Sequence, residues 1–151
     1  IILVSAVLVL LFKEIMAPDK MSDSIQILSQ FKTQLLTFFD ELIGQFPQEG
    51  DIVVARLFIA NQMPMEDAVN KFLWMLNYNN SECRNMIQAR NEKFFLEHEV
   101  FPLGESKWDP SFFKRLWMSP EVDKRDKEII WKWMDTFIFL GDKFAKSKTS
   151  N

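Results

Sequence analysis

Few side chains in this sequence stand where they could do chemistry together. The single histidine, His98, sits between Glu97 and Glu99. Neighbours along a helix point to different sides, so these three do not converge on a metal ion. The single cysteine, Cys83, has no histidine near it in sequence and reads as a buried thiol rather than a nucleophile. One Cys and one His cannot build a four-ligand zinc site. A lone Cys also forms no intrachain disulfide, which suits a reducing compartment. There is no glycine-rich phosphate loop, nucleophile elbow or paired-cysteine spacing. Carboxylates pair up at Asp40-Glu41 and Glu66-Asp67, at exposed or first-turn helix positions where structural roles dominate. The expectation is a protein that is not an enzyme, with no catalytic residues, no metal, no cofactor and no small-molecule substrate.

Charge narrows the partners. The net charge is −3, whereas a nucleic-acid surface needs a basic face. Basic residues such as Arg84, Arg90, Lys93, Lys114 and Arg115 are interleaved with acids, the pattern of a solvated mixed surface. No nucleic-acid partner is expected. The aromatic content says more: fifteen Phe and five Trp stand against one Tyr. Rings with so few hydroxyls belong in a core or an interface. Trp and Arg are enriched where proteins meet, so the candidate partner-binding residues are Trp108, Trp131 and Arg56. Against this stand two plainer readings. All five Trp can pack internally, and Arg56 can snorkel to a carboxylate at the edge of an apolar helix.

The elements that would position these residues are helices. Leu28, Phe31, Leu35, Phe38 and Leu42 recur every three or four residues, which predicts a helix over 24–43. Ser22, Asp23 and Ser24 offer caps, and Gly44 with Pro47 ends it. A second helix is predicted over 51–62, apolar nearly all round and therefore central. Pro64 opens a third, with Val69, Phe72, Leu73 and Leu76 on its face. Asn77 to Asn80 form a turn, and a fourth helix comes next over 82–97. Residues 102–110 form a loop carrying Trp108, and Asp109-Pro110 starts a short helix with Phe112, Phe113, Leu116 and Trp117. The last helix is predicted over 123–146, with Ile130, Trp133, Phe137, Leu140 and Phe144 inward. The fold class expected is all-α, a compact bundle of about five or six helices. Its single domain spans 21–146, and 147–151 are a loose tail.

An apolar segment lies outside that bundle. Residues 1–12, IILVSAVLVLLF, are uninterrupted by charge until Lys13 and Glu14. A membrane-spanning helix needs roughly 20 apolar residues, so the run is too short as it stands. It reads as the tail of a longer membrane segment, as a membrane-proximal anchor, as a segment packed on a partner, or as a stretch foreign to a domain that starts at Met21. The side chains that would make the contact are Ile1, Ile2, Leu3, Val4, Val7, Leu8, Leu10, Leu11 and Phe12.

Three stretches share a wording: FDELIGQFPQEGDIVVARLFIANQMPME (39–66), MIQARNEKFFLEH (86–98) and FKRLWMSPEVDKRDKEIIWKWMDTFIFLGDKF (113–144). In this order they resemble a family of small uncharacterised proteins of large icosahedral double-stranded DNA viruses, such as those of algae. The resemblance carries no chemical signature and does not reach residues 1–20. It implies a protein made in the host cytoplasm and located in the virion, in the inner layer of the capsid. There a minor capsid protein would bind the major capsid protein and other minor capsid proteins, with residues 1–16 near the inner membrane. The alternative is a soluble viral adaptor that binds a partner helix in the infected cell.

Overall fold

The apolar faces read from the sequence find one another in a bundle of helices. The structure is a computed structural model and describes residues 24–98 and 111–149. The apolar run, the linker after it, the caps Ser22 and Asp23, the loop with Trp108, and residues 150–151 lie outside the described residues. Among those described, six helices and no strands are found: α1 (Ser24–Gln45), α2 (Gly50–Asn61), α3 (Met65–Gln88), α4 (Glu92–Glu97), α5 (Ser111–Met118) and α6 (Lys124–Thr149). The all-α reading holds.

The two long helices α1 and α6 make the centre. Phe31 meets Phe137 with ring centroids 5.5 Å apart, and Phe38 meets Trp133 at 5.4 Å. As the number rises on α1 it falls on α6, so the two run antiparallel. All four rings are fully buried. Their burial removes large apolar surfaces from water, each contributing a few kcal/mol. α2 packs on α1, and α3 packs on α6. Gly141 of α6 sits so close to α3 that a Cβ there would lie 3.2 Å from Leu73 Cδ2. An alanine there would require the end of the Leu73 side chain to give way by a few tenths of an ångström.

Several predicted boundaries move. Gly44 does not stop α1, which runs to Gln45. Its backbone turns at Phe46, whose N–H donates to Leu42 O at 2.8 Å. α2 is not central. Its buried side chains are Ile52, Ala55 and Ile59, one narrow stripe; Phe58 is half-buried against the core, and Val53, Val54 and Leu57 face outward. α6 runs on through Ser147 to Thr149, so most of the expected tail is helix. Asp123 and Asp126 cap its start reciprocally: Asp126 N–H donates to Asp123 Oδ1 at 2.9 Å, and Asp123 N–H to Asp126 Oδ2 at 3.1 Å.

The helix expected over 82–97 is two helices. Arg90 takes a left-handed φ of 56°, and the Asn91 side chain then accepts from Phe94 N–H at 2.9 Å, capping α4. The turn expected at Asn77 to Asn80 is present as a sharper device inside α3. Tyr78 is extended, and Asn79, Asn80 and Ser81 come after it with φ of 53°, 58° and 61°. Asn tolerates this region because its short amide bonds locally, whereas Ser carries the usual Cβ clash. The bend folds α3 back, so that Leu73 and Arg84 reach the adjacent residues Gly141 and Asp142. Ser81→Gly is therefore expected to exceed Ser81→Val in stability by about 1–2 kcal/mol. Urea unfolding midpoints of the two variants provide the check.

Candidate interaction surface

The reactive side chains take structural posts. Cys83 is buried, and burial pushes its thiol up to about 11, which keeps it protonated and unreactive at neutral pH. His98 hydrogen-bonds through Nδ1 to Phe94 O at 2.9 Å and stacks on the Phe94 ring. Among the described residues no group of His, Cys, Asp and Glu converges as a metal site. A cavity of about 10 Å³ between α1, α5 and α6, lined in part by Phe46, Trp117 and Asp126, has room for a single water at most.

Most of the arginines are tied to carboxylates. Arg84 grips Asp142 through two bonds of 2.7 and 2.9 Å and also donates to Asn77. Arg90 holds Asp135 in the same forked way, at 2.9 and 2.7 Å. Arg115 reaches Asp51 at 2.9 Å and so ties α5 to the start of α2. Each of these pairs joins elements far apart in sequence, and in the two forked ones, Arg84–Asp142 and Arg90–Asp135, bidentate geometry fixes their angle. Arg56 bonds Asp40 of α1, with its Nη2 donating to Oδ2 at 3.2 Å. The carboxylate holds the guanidinium charged, raising its pKa. The snorkelling reading of Arg56 is the one the geometry supports, since the group expected to meet a partner already has one.

Trp131 is a correction. It lies in the core at 4 % exposure. Phe95 and Trp117 pack on it with centroids 4.7 and 5.3 Å away, and the Arg90 guanidinium carbon lies 5.6 Å from its ring. The cause is geometric. α6 has α1 on one flank and α3 and α4 on the other, so its buried band is broad enough to take in Trp131. Trp117 joins this cluster by donating from Nε1 to Glu92 Oε1 at 2.7 Å, and Lys127 Nζ lies 5.3 Å from the Trp117 ring. Trp108 lies outside the described residues, as do all nine apolar side chains proposed for membrane or partner contact. Among the described residues no helix is long and apolar enough to cross a membrane.

The exposed apolar groups are elsewhere. Trp74 is 67 % exposed and Tyr78 61 %, and their rings lie 4.9 Å apart on the outer side of α3. On α2, Val53, Val54 and Leu57 face solvent on the side away from the buried stripe. Sequence reasoning passes over both. Trp74 sits between Leu73 and Met75 but off the stripe of Val69, Phe72, Leu73 and Leu76, which is the signal that could have found it. No family model, curated protein or solved structure matches this chain.

Burial sets what each ring is worth to stability. Trp131→Ala is expected to cost about 3–5 kcal/mol, whereas Trp74→Ala stays within about 0.5 kcal/mol. Denaturant unfolding of both variants separates the buried ring from the exposed one. A pH dependence is expected at Glu92, whose carboxyl is held below the usual carboxylate range, first by the Trp117 indole and then by Lys127, against the opposing effect of burial. A carboxyl depressed in the folded state stabilises at pH above its unfolded value and loses that contribution as pH falls through the folded one. The stability gap between the wild type and Glu92→Gln should thus be constant above about pH 5 and close at lower pH. Urea midpoints across that range provide the measurement.

Proposed function

We propose that this chain is a non-enzymatic interaction protein that holds neighbouring proteins, and that its setting is the capsid layer implied by the resemblance. One observation carries the interaction reading. α2 is apolar on both sides, yet only Ile52, Ala55 and Ile59 are fully buried, with Phe58 half-buried against the core. Val53, Val54 and Leu57 are left facing water, the last two more than half exposed. An apolar helix face that costs solvation and serves no internal packing is the ordinary signature of a surface that another protein covers. The exposed Trp74–Tyr78 pair adds a second patch of the residue types that dominate binding hot spots.

The occupant in this reading is an adjoining capsid protein that presents an apolar face of its own. Arg56 would support it indirectly. Its bond to Asp40 fixes α2 against α1 and keeps the Val54–Leu57 side turned outward. Burial of such a patch supplies roughly 25 cal/mol per Å², less the cost of ordering. The seat of the protein can be read from its copy number in purified particles, counted by mass spectrometry. A fixed stoichiometry with cross-links to shell proteins supports the reading. Abundance in lysate with absence from particles rejects it in favour of the adaptor. Val54→Glu with Leu57→Glu should abolish those cross-links while shifting the melting temperature by no more than a surface change does.

A further inference from the structure

Asn79, Asn80 and Ser81 spell Asn-x-Ser with x not proline, the acceptor pattern for N-linked glycosylation. None of Asn61, Asn70, Asn77, Asn80, Asn85 or Asn91 has Ser or Thr two residues on. The place of this motif in the fold gives it weight. It occupies the tip of the bend in α3, where Tyr78 is extended and the next three residues take left-handed φ. Asn77 to Asn80 are all exposed, and Ser81 is half-exposed. A bulky hydrophilic group on Asn79 therefore has open solvent to occupy.

Two features of the tip suit a sugar. The first is the Asn79 side chain. Its Nδ2 donates one proton to Glu82 Oε2 at 2.8 Å, and a primary amide has two. The second can be replaced while the first bond stays, so the tip need not refold to carry a glycan. The other feature is the exposed Trp74–Tyr78 pair. Tyr78 directly precedes Asn79, with Cα atoms about 3.8 Å apart. Its ring and that of Trp74 are 4.9 Å apart and inclined by 31°, close enough to parallel to offer one broad aromatic surface. The C–H face of a pyranose rests on such a surface, because its hydrogens meet the negative faces of the rings. Two large rings left in water beside an acceptor asparagine are thereby accounted for.

We propose that Asn79 carries an N-linked glycan whose first sugar lies over Trp74 and Tyr78. In the transfer, Asn79 Nδ2 attacks the anomeric carbon of the reducing-end N-acetylglucosamine of a lipid diphosphate-linked oligosaccharide. The bond from Nδ2 to that carbon forms, and the bond from the carbon to the diphosphate oxygen breaks. The lipid diphosphate departs, and the amide proton passes to a base of the transferase. Ser81 supplies the hydroxyl by which the transferase selects its acceptor. Transfer takes place in the lumen of the secretory pathway, so the described helices meet that lumen rather than the cytoplasm implied by the resemblance. Cys83 presents no obstacle there, since it is buried and its thiol stays protonated. The inference is independent of the apolar surface on α2, which lies on another helix and needs no sugar.

The full chain purified from the cells that naturally make it provides the test. Digestion with peptide N-glycosidase in heavy-oxygen water should leave an oxygen label at Asn79, read by mass spectrometry of the tip peptide. Asn79→Gln and Ser81→Ala, expressed in the same cells, should each lose the whole glycan mass, whereas Asn80→Gln keeps it. Acrylamide quenching of tryptophan emission should rise when the glycan is removed enzymatically, and Trp74→Phe should abolish that rise. A tip peptide of the unsubstituted protein that carries no glycan overturns the proposal. So does a glycan whose removal leaves the quenching unchanged. Either failure is distinct from that of the capsid reading, which is decided by the count of this protein in particles.

Discussion

The antiparallel contact between α1 and α6 is the constraint on which the remaining structure depends. Phe31 and Phe38 from one helix and Trp133 and Phe137 from the other form a continuous ladder of fully buried rings. Neither helix is stable alone, because an isolated amphipathic helix in water gains too little from its backbone bonds. Once the ladder forms, each helix offers a flank to a smaller partner. α2 settles on α1 and α3 on α6, and Arg56–Asp40 and Arg84–Asp142 set where each comes to rest. The charged pairs are partly exposed, so they position the layers more than they hold them.

Much of this was legible in the sequence because periodicity reports burial directly. The stripe at Phe31, Leu35, Phe38 and Leu42 and that at Ile130, Trp133, Phe137, Leu140 and Phe144 are the buried ones, and they fix the order of the central helices. Boundaries were less legible where no Gly or Pro marks them. The break at Arg90 is made by an arginine in the left-handed region and depends on the Asn91 side chain capping α4. Nothing local at Arg90 announces that. Gly44 misled in the other direction, since its freedom is not used and α1 passes through it.

The placement of aromatic residues was the harder question. Composition showed that rings were abundant but gave no means of dividing them between core and surface. Trp131 lies beside the inner stripe of α6 and is buried because that helix is flanked on two sides, a fact of tertiary packing. Trp74 lies off its helix's stripe and is exposed, as its angular position alone would indicate. The same wheel applied to α2 gives no answer, because apolar residues occur all round it and only the neighbours decide which ones are covered.

The bend at Tyr78 to Ser81 has a mechanical consequence. Leu73 and Arg84 are eleven residues apart, and in a straight helix they would be separated by about 16 Å, yet they rest on consecutive positions of α6. The Arg84 guanidinium spans the loop so made, gripping Asn77 before the bend and Asp142 across it. The bend is therefore a buckle fastened at its base. A cut through the peptide bonds at its tip would leave both halves of α3 still strapped to the same helix.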